Sequence, residues 1–133
     1  MNVPEPSQGR TWTVVLPAGL GLLNANDRLH HHVKARLTAA LRLAGRQAAL
    51  AAEVPAIERA HIIGRYCPPD RRRRDVGNLY PSFKAAIDGL VDAGVLPDDD
   101  DEHLIGPDMR LGPVVACGRL ELVVTELAAP GRP

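Results

Sequence analysis

Tyr80-Pro81-Ser82-Phe83-Lys84-Ala85-Ala86-Ile87-Asp88-Gly89-Leu90-Val91-Asp92-Ala93-Gly94 is the stretch from which the architecture is most directly read. Pro81 suits the first turn of a helix, where its missing N–H would have had no partner anyway. Phe83, Ile87, Leu90 and Val91 fall on one apolar stripe at helical spacing, and Gly94 is the natural stop. Upstream, Ala60 to Tyr66 (AHIIGRY) reads as a strand that Pro68-Pro69 must end, because proline offers no donor to a ladder. A loop follows from Asp70 to Gly77. Downstream of Gly94, Val95-Leu96-Pro97 leads into the acidic run Asp98-Asp99-Asp100-Asp101-Glu102, an exposed loop.

Farther out, His103 to Leu111 holds a third strand interrupted near Gly106-Pro107, and Leu120, Leu122 and Val124 alternate with Glu121, Val123 and Thr125 in a final strand. Toward the start, Thr11 to Pro17 (TWTVVLP) is a first, β-branched strand. Arg28 to Ala52 is a long amphipathic helix with Leu37, Leu41, Ala44, Ala48 and Ala51 on one side. Asn24-Ala25-Asn26-Asp27 supplies side chains that accept from the amides opening that helix, and Pro55 closes the segment. The order is β-α-β-α-β-β: an α+β fold, one domain over 1–133, with a mixed β-sheet and two main helices. The ends, 1–9 and 128–133, are expected to fray.

Composition narrows the function classes. The 133 residues are 45% hydrophobic and 24% charged, the balance of a globular chain, and the length is that of one ordinary domain. Trp12, Tyr66, Tyr80 and Phe83 are the whole aromatic complement, too few for a base-stacking platform. The formal net charge is +0, so any affinity for nucleic acid must come from where the charges lie. Cys67 and Cys117 form neither a CxxC pair nor a zinc-ligand pattern, and no signal peptide precedes the first apolar segment, which leads to the expectation of a reduced, cytoplasmic protein. No apolar run approaches the roughly 20 residues of a bilayer span, so no membrane role is expected.

The chemistry concentrates between Arg71 and Glu102. Arg71-Arg72-Arg73-Arg74 precedes Asp75-Val76-Gly77-Asn78, then comes the helix bearing Lys84 and Asp88, then the acidic run. Each piece alone is compatible with a solvated surface, and Lys84 and Asp88 are spaced for an ordinary i,i+4 ion pair. Together they pose a conflict, since carboxylates repel a phosphodiester unless a cation neutralises them. A divalent ion resolves it. Aspartate oxygens select Mg²⁺ or Mn²⁺, and such an ion activates water and stabilises charge on a reacting phosphate. Arginines alongside suit the flanking phosphates.

The order Arg74-Asp75, Asn78, Lys84-Ala85-Ala86-Ile87-Asp88-Gly89-Leu90, Ala93-Gly94, Asp98-Asp99 and Gly118-Arg119-Leu120-Glu121-Leu122 resembles the RusA-like Holliday-junction resolvases from Pro68 to Thr125. The resemblance implies a metal-dependent endodeoxyribonuclease that cuts branched DNA, a four-way junction, as a homodimer, with Mg²⁺ (or Mn²⁺) and no organic cofactor. Carried over, the metal-binding aspartates fall on Asp75 and Asp99, with Asp98 beside the latter, and the helix lysine falls on Lys84, which by the resemblance would stabilise charge at the scissile phosphate or contact a strand. Arg71, Arg72, Arg73, Arg74 and Asn78 would then face the DNA. The family often shows Asp-x-Asp-Asn where this chain has Asp75-Val76-Gly77-Asn78, and Tyr80-Pro81-Ser82 lies in an added segment. Asp98, Asp100 or Asp101, or a neutral oxygen from Asn78, are the replacements the sequence offers for the second aspartate. Without one, the alternative is a module that binds branched DNA without cutting it.

Arg28, His30, His31, His32, Lys34, Arg36, Arg42 and Arg46 form a second basic stretch, with Arg28 and Lys34 as candidate phosphate contacts. Consecutive histidines point around a helix, so His30 to His32 are expected to face solvent or phosphate instead of forming a metal site. An EF-hand reading of Asp98–Glu102 fails, because that loop needs alternating ligands, a central glycine and two flanking helices.

Overall fold

Strand alternation decides which side of the sheet is buried. In the segment Arg119–Glu126, Leu120, Leu122 and Val124 are sealed from solvent, and in Ala60–Cys67 the same is true of Ala60 and Ile62. Both sets point toward the helices, as period-2 geometry requires. The computed structural model describes residues 9–128. Its elements are β1 (Thr11–Val15), α1 (His31–Ala51), β2 (Ala60–Cys67), a 3₁₀ turn (Val76–Leu79), α2 (Tyr80–Asp92), β3 (Leu104–Leu111) and β4 (Arg119–Glu126). The four strands make one mixed sheet in the order β1-β4-β2-β3, with β4 antiparallel to both β1 and β2 and β2 parallel to β3. The expected α+β class, mixed sheet and element order therefore hold. The expected frayed ends lie almost wholly outside the described residues.

Helix α2 is buried on two sides. Phe83, wholly buried, lies over Gly64 of β2, where an added Cβ would sit 2.7 Å from its ring. On its other side α2 meets α1 through small residues: a Cβ on Gly45 would lie 2.3 Å from the Ala86 carbonyl oxygen, and one on Gly89 would lie 2.1 Å from that of Arg42. Glycine permits this backbone-to-backbone approach, at the cost of helix propensity. Leu41, Ala44, Ile87, Leu90, Leu120, Leu122 and Val124 belong to one core cluster joining helices to sheet.

Two boundaries differ from the sequence reading. Helix α1 starts at His31, capped by His30, whose Nδ1 accepts from His32 N at 3.2 Å. Asn24 instead closes a local turn, its Oδ1 accepting from Asn26 N at 2.8 Å and its carbonyl from Asp27 N at 3.0 Å, so the expected cap serves a loop ahead of the helix. The buried stripe of α1 is Leu41, Ala44, Gly45 and Ala49, whereas Ala51 is exposed, because the close crossing with α2 is centred on Gly45. The loop expected over Asp70–Gly77 gives way at Val76 to the 3₁₀ turn, opened by the Asp75 side chain. Ser82 is a buried polar residue with both hydrogen-bonding roles met, donating to Leu23 O at 2.8 Å and accepting from Leu23 N at 2.7 Å. It thereby pins the segment before α1 to the start of α2.

Candidate functional site

Parallel pairing sets the geometry. With Ala60 opposite Leu104, the chain must travel from the far end of β2 back to the near end of β3, and α2 makes that return. After the left-handed turn at Gly94 (φ 82), Val95 N bonds Leu90 O at 3.0 Å and Val95 O accepts from Ile57 N at 2.8 Å. The acidic segment then closes into a turn in which Asp100 O accepts from Leu104 N (2.9 Å) and His103 N (3.1 Å). This path brings Asp99 onto the side of α2.

There Lys84 Nζ donates to Asp88 Oδ1 at 2.7 Å and also to Asp99 Oδ2. The lysine side chain is 42% exposed while those of Asp88 and Asp99 are 29% and 22% exposed, so the ion cluster is half-buried and reachable from solvent. Partial burial works against the ammonium, yet the bonds to Asp88 and Asp99 outweigh it and hold the Lys84 pKa above its ordinary value. The Lys84 ammonium in turn holds Asp99 below the usual carboxylate range despite its desolvation. Lys84 thus bridges the side chains of Asp88 and Asp99. Asp98 is exposed, its Oδ1 accepting from Asp99 N at 2.7 Å.

The arginine run builds a neighbouring structure. Arg74 lies inward, its side chain 17% exposed, donating to Asp70 O (2.8 Å), Asp70 Oδ1 (2.6 Å) and Arg72 O (3.0 Å). Its guanidinium also sits 5.9 Å from the Tyr66 ring centroid. Asp70 is held below the usual carboxylate range by the Arg72 amide and then by Arg74. Arg74 and Asp70 thus shape the loop, Arg72 contributes a looser exposed contact to Asp70, and Arg71 and Arg73 are exposed without an ion pair among the described residues. The loop walls a cavity of about 340 Å³ together with Asn24, Tyr66, Asp75 and Asn78. Asp75 is exposed, and its Oδ1 accepts from Gly77 N at 3.0 Å. A Cβ on Gly77 would stand 3.1 Å from that same oxygen, so a side chain here would lie beside the Asp75 carboxylate.

The predicted site residues therefore fall into two groups: Lys84 with Asp99, joined by Asp88, and Asp75 with Asn78 and the arginines around the cavity. Asp75, Asp98, Asp99 and Asp88 offer oxygen ligands alone, the donor chemistry of a hard cation. Among the described residues the sets of three possible ligands gathered within 4.8 Å are His30-His31-His32 and Asp100-Glu102-His103, and neither includes Asp75, Asp98 or Asp99. The three histidines are exposed, as expected, but their rings do not diverge: His30 caps α1 from outside it, and the ring centroids lie 4.0 to 5.0 Å apart. Arg28 and Lys34 are exposed on either side of them. Sequence reading gave Asp88 only a helix-surface role and Asn24 only a capping role; the i,i+4 spacing signalled the first, and nothing local signalled the second. Among the described residues, no helix is long and apolar enough to cross a membrane.

The chain is thus an α+β fold that sets a lysine between two aspartates and carries an arginine-lined cavity. No family model matches the chain. Over 59 residues it is 46% identical to the crossover junction endodeoxyribonucleases RusA of Escherichia coli strain K12 and Shigella sonnei strain Ss046, and 44% identical to that of Enterobacteria phage 82. Each match covers 44% of this chain and 45% of the relative, so the aligned stretch spans less than half the length of the curated relatives. Within that stretch the chain is similar to RusA crossover junction endodeoxyribonucleases.

Proposed function

We propose that this protein is a structure-selective endodeoxyribonuclease that resolves four-way DNA junctions, acting as a homodimer with a divalent metal. The observation that carries the reading is the meeting of Asp99 with Lys84 across 15 positions of sequence. A surface lysine needs no second carboxylate from a distant loop; a site that must place a cation and carboxylates at one phosphate does. The relatives named as crossover junction enzymes supply the substrate class. A four-way junction presents two strands to cut, which a two-fold pair of sites matches.

Asp75 and Asp99, with Asp98, would hold Mg²⁺ or Mn²⁺. Such an ion, when bound, lowers the pKa of water and offsets charge at phosphorus. Lys84, ionised at neutral pH, offers a second positive charge to the phosphate oxygens. Exposed Arg71 and Arg73 hold flanking phosphates, with Arg28 and Lys34 continuing the track, while Arg72, Arg74 and Asn78 shape and line the approach. The test is cleavage of a synthetic four-way junction in Mg²⁺ or Mn²⁺ against a linear duplex of the same sequence. Asp99→Asn should abolish cutting while gel-shift affinity persists; cleavage equal to the parent's would reject the assignment.

One observation favours a second reading. Gly77 leaves the Asp75 carboxylate without the neighbour that a side chain there would provide, so a junction-binding module that does not cut is the outcome if Asp75 and Asp99 hold metal too weakly. Binding of the junction by the unmodified protein, with no product in either metal, would select that reading.

A further inference from the structure

Three of the chain's 5 histidines take no part in the site described above. The other two each meet a carboxylate: His61 Nε2 lies 2.6 Å from Asp108 Oδ2, and His103 Nδ1 lies 2.6 Å from Asp100 Oδ1. His30, His31 and His32 are all exposed, and among the described residues none of them pairs with an acidic side chain. Their rings gather all the same, with centroids 4.4 Å apart for His30 and His31, 5.0 Å for His30 and His32, and 4.0 Å for His31 and His32. One ring nitrogen from each lies within 4.8 Å of those from the other two.

Three converging imidazoles are the donor set of a borderline divalent ion. Imidazole nitrogen suits zinc, copper and nickel, whereas magnesium takes oxygen ligands. Tetrahedral zinc stands about 2.0–2.1 Å from each nitrogen, which sets the nitrogens about 3.3–3.4 Å from one another. Exposed rings can turn to that spacing without moving any core side chain. His30 has one tie to give up: its Nδ1 accepts from His32 N at 3.2 Å, the long end of the hydrogen-bond range. That lone pair can pass to a metal, because the amide it releases stands at the exposed start of α1, where water replaces the bond. Charge works against any cation here, since the positive end of the helix dipole is close and Arg28 and Lys34 flank the histidines in sequence. Selection therefore rests on coordinate bonds to nitrogen, and an ion held by charge alone is excluded.

We propose that His30, His31 and His32 form a binding site for a transition-metal dication of the zinc type, one nitrogen from each ring holding the ion and water completing its fourth position. None of Asp75, Asp98 and Asp99 belongs to this cluster, so it is a second site with a different donor chemistry from the oxygen ligands described above. The inference goes beyond the junction-cutting reading and stands whether or not the chain cuts DNA. Asp100, Glu102 and His103 also gather within 4.8 Å, and Cys117 is an exposed thiol, so both are rival zinc ligands that the experiment must separate.

Zn²⁺ is titrated calorimetrically into the full chain in a buffer holding a large excess of Mg²⁺, which occupies oxygen sites and leaves nitrogen sites free. The chain should take up zinc with a dissociation constant on the order of micromolar. His30→Asn keeps a side-chain oxygen to cap α1 while removing the imidazole, and His31→Gln and His32→Gln each remove one ligand from exposed positions. Each should weaken zinc by about tenfold or more, and the triple variant should abolish the binding. His103→Gln and Cys117→Ser should leave it within about twofold of the parent. Thermal unfolding without metal, unchanged across the set, verifies that every variant folds. Zinc uptake that persists in the triple variant, that is lost in His103→Gln or Cys117→Ser, or that Mg²⁺ suppresses overturns the inference, as does a parent chain that takes up no zinc.

Discussion

Gly89→Ala sets two physical effects of opposite sign against each other. Gly89 lies mid-helix in α2, where alanine is favoured by about 0.8–1.0 kcal/mol on intrinsic propensity. The added Cβ, however, would stand 2.1 Å from the Arg42 carbonyl oxygen and 2.6 Å from the Arg46 amide nitrogen, both backbone atoms of α1 that no rotamer change can move. Restoring ordinary contact at 3.4 Å requires α1 and α2 to part by more than an ångström at their crossing, which also strains the Gly45–Ala86 contact one turn away. Overpacking of this kind costs about 1–3 kcal/mol, and the double backbone clash places it at the upper end. The net is a loss of about 2 kcal/mol. For a chain of this size that lowers Tm by about 8 °C, taking about 4 °C per kcal/mol. Circular dichroism melts, paired with urea midpoints, measure it. Gly94→Ala is the comparison: it faces no atom within 4 Å but has φ 82, so it should lose about 1 kcal/mol through backbone strain alone. A Gly89→Ala protein as stable as its parent, or more so, would refute the close crossing and with it the placement of Lys84 and Asp88 that α2 provides.

Lys84→Met should reduce junction cleavage at least 100-fold, read as single-turnover product, while gel-shift affinity stays within about threefold; a parallel loss of both would make Lys84 a general phosphate contact. Gly77→Asp places a second carboxylate beside Asp75 and should tighten Mn²⁺ about tenfold by calorimetric titration, equivalent to about 1.4 kcal/mol; unchanged affinity would mean that Asp75 is not a ligand. Arg71→Ala and Arg73→Ala should each reduce the slope of log K against log salt by about 1, whereas Arg74→Ala should chiefly lower Tm, since its donors serve Asp70. Glu121, 4% exposed, is desolvated, yet bonds from Arg119 and Arg65 hold it below the usual carboxylate range. Its contribution is therefore complete above its unfolded pKa, near 4.3, and is lost as pH falls through the lower folded value. Urea midpoints should fall on acidification below about pH 4, and Glu121→Gln should show lower stability at pH 7 with a smaller acid-dependent loss.

The fold was legible where the signal was local. Alternation in Leu120, Leu122 and Val124, the helical stripe through Phe83 and Ile87, and the stop at Gly94 each arise from one element facing one core, and each appears in the structure as expected. What the sequence could not convey were contacts whose partners are distant. Gly45 and Gly89 look like blemishes in two helices until the helices are seen to cross there. Ser82 looks like a polar surface residue until Leu23 meets it. His30, His31 and His32 are exposed, as expected of residues facing solvent, while the approach of their rings to within 4.0 to 5.0 Å, closest between His31 and His32 inside α1, is a side-chain contact that helical spacing does not convey.

The candidate site shows the same division within a single residue. Spacing gives Lys84 one partner, Asp88, and a complete role as a surface ion pair. That role is present, at 2.7 Å, and it does not exclude the other: the same ammonium also reaches Asp99. An isolated i,i+4 pair is worth about 0.3–0.5 kcal/mol and leaves the lysine free to leave it. A second carboxylate from a loop that must first turn at Gly94 and be tied to Ile57 through Val95 changes this, because the ammonium is then fixed from two directions by elements with separate anchors. Fixing a cation in this way costs conformational freedom that a solvated pair does not spend, and stability alone offers little return at 42% exposure. The arrangement is economical only if the position of that charge matters to something outside the chain, which is what the proposed junction-cutting role requires of Lys84.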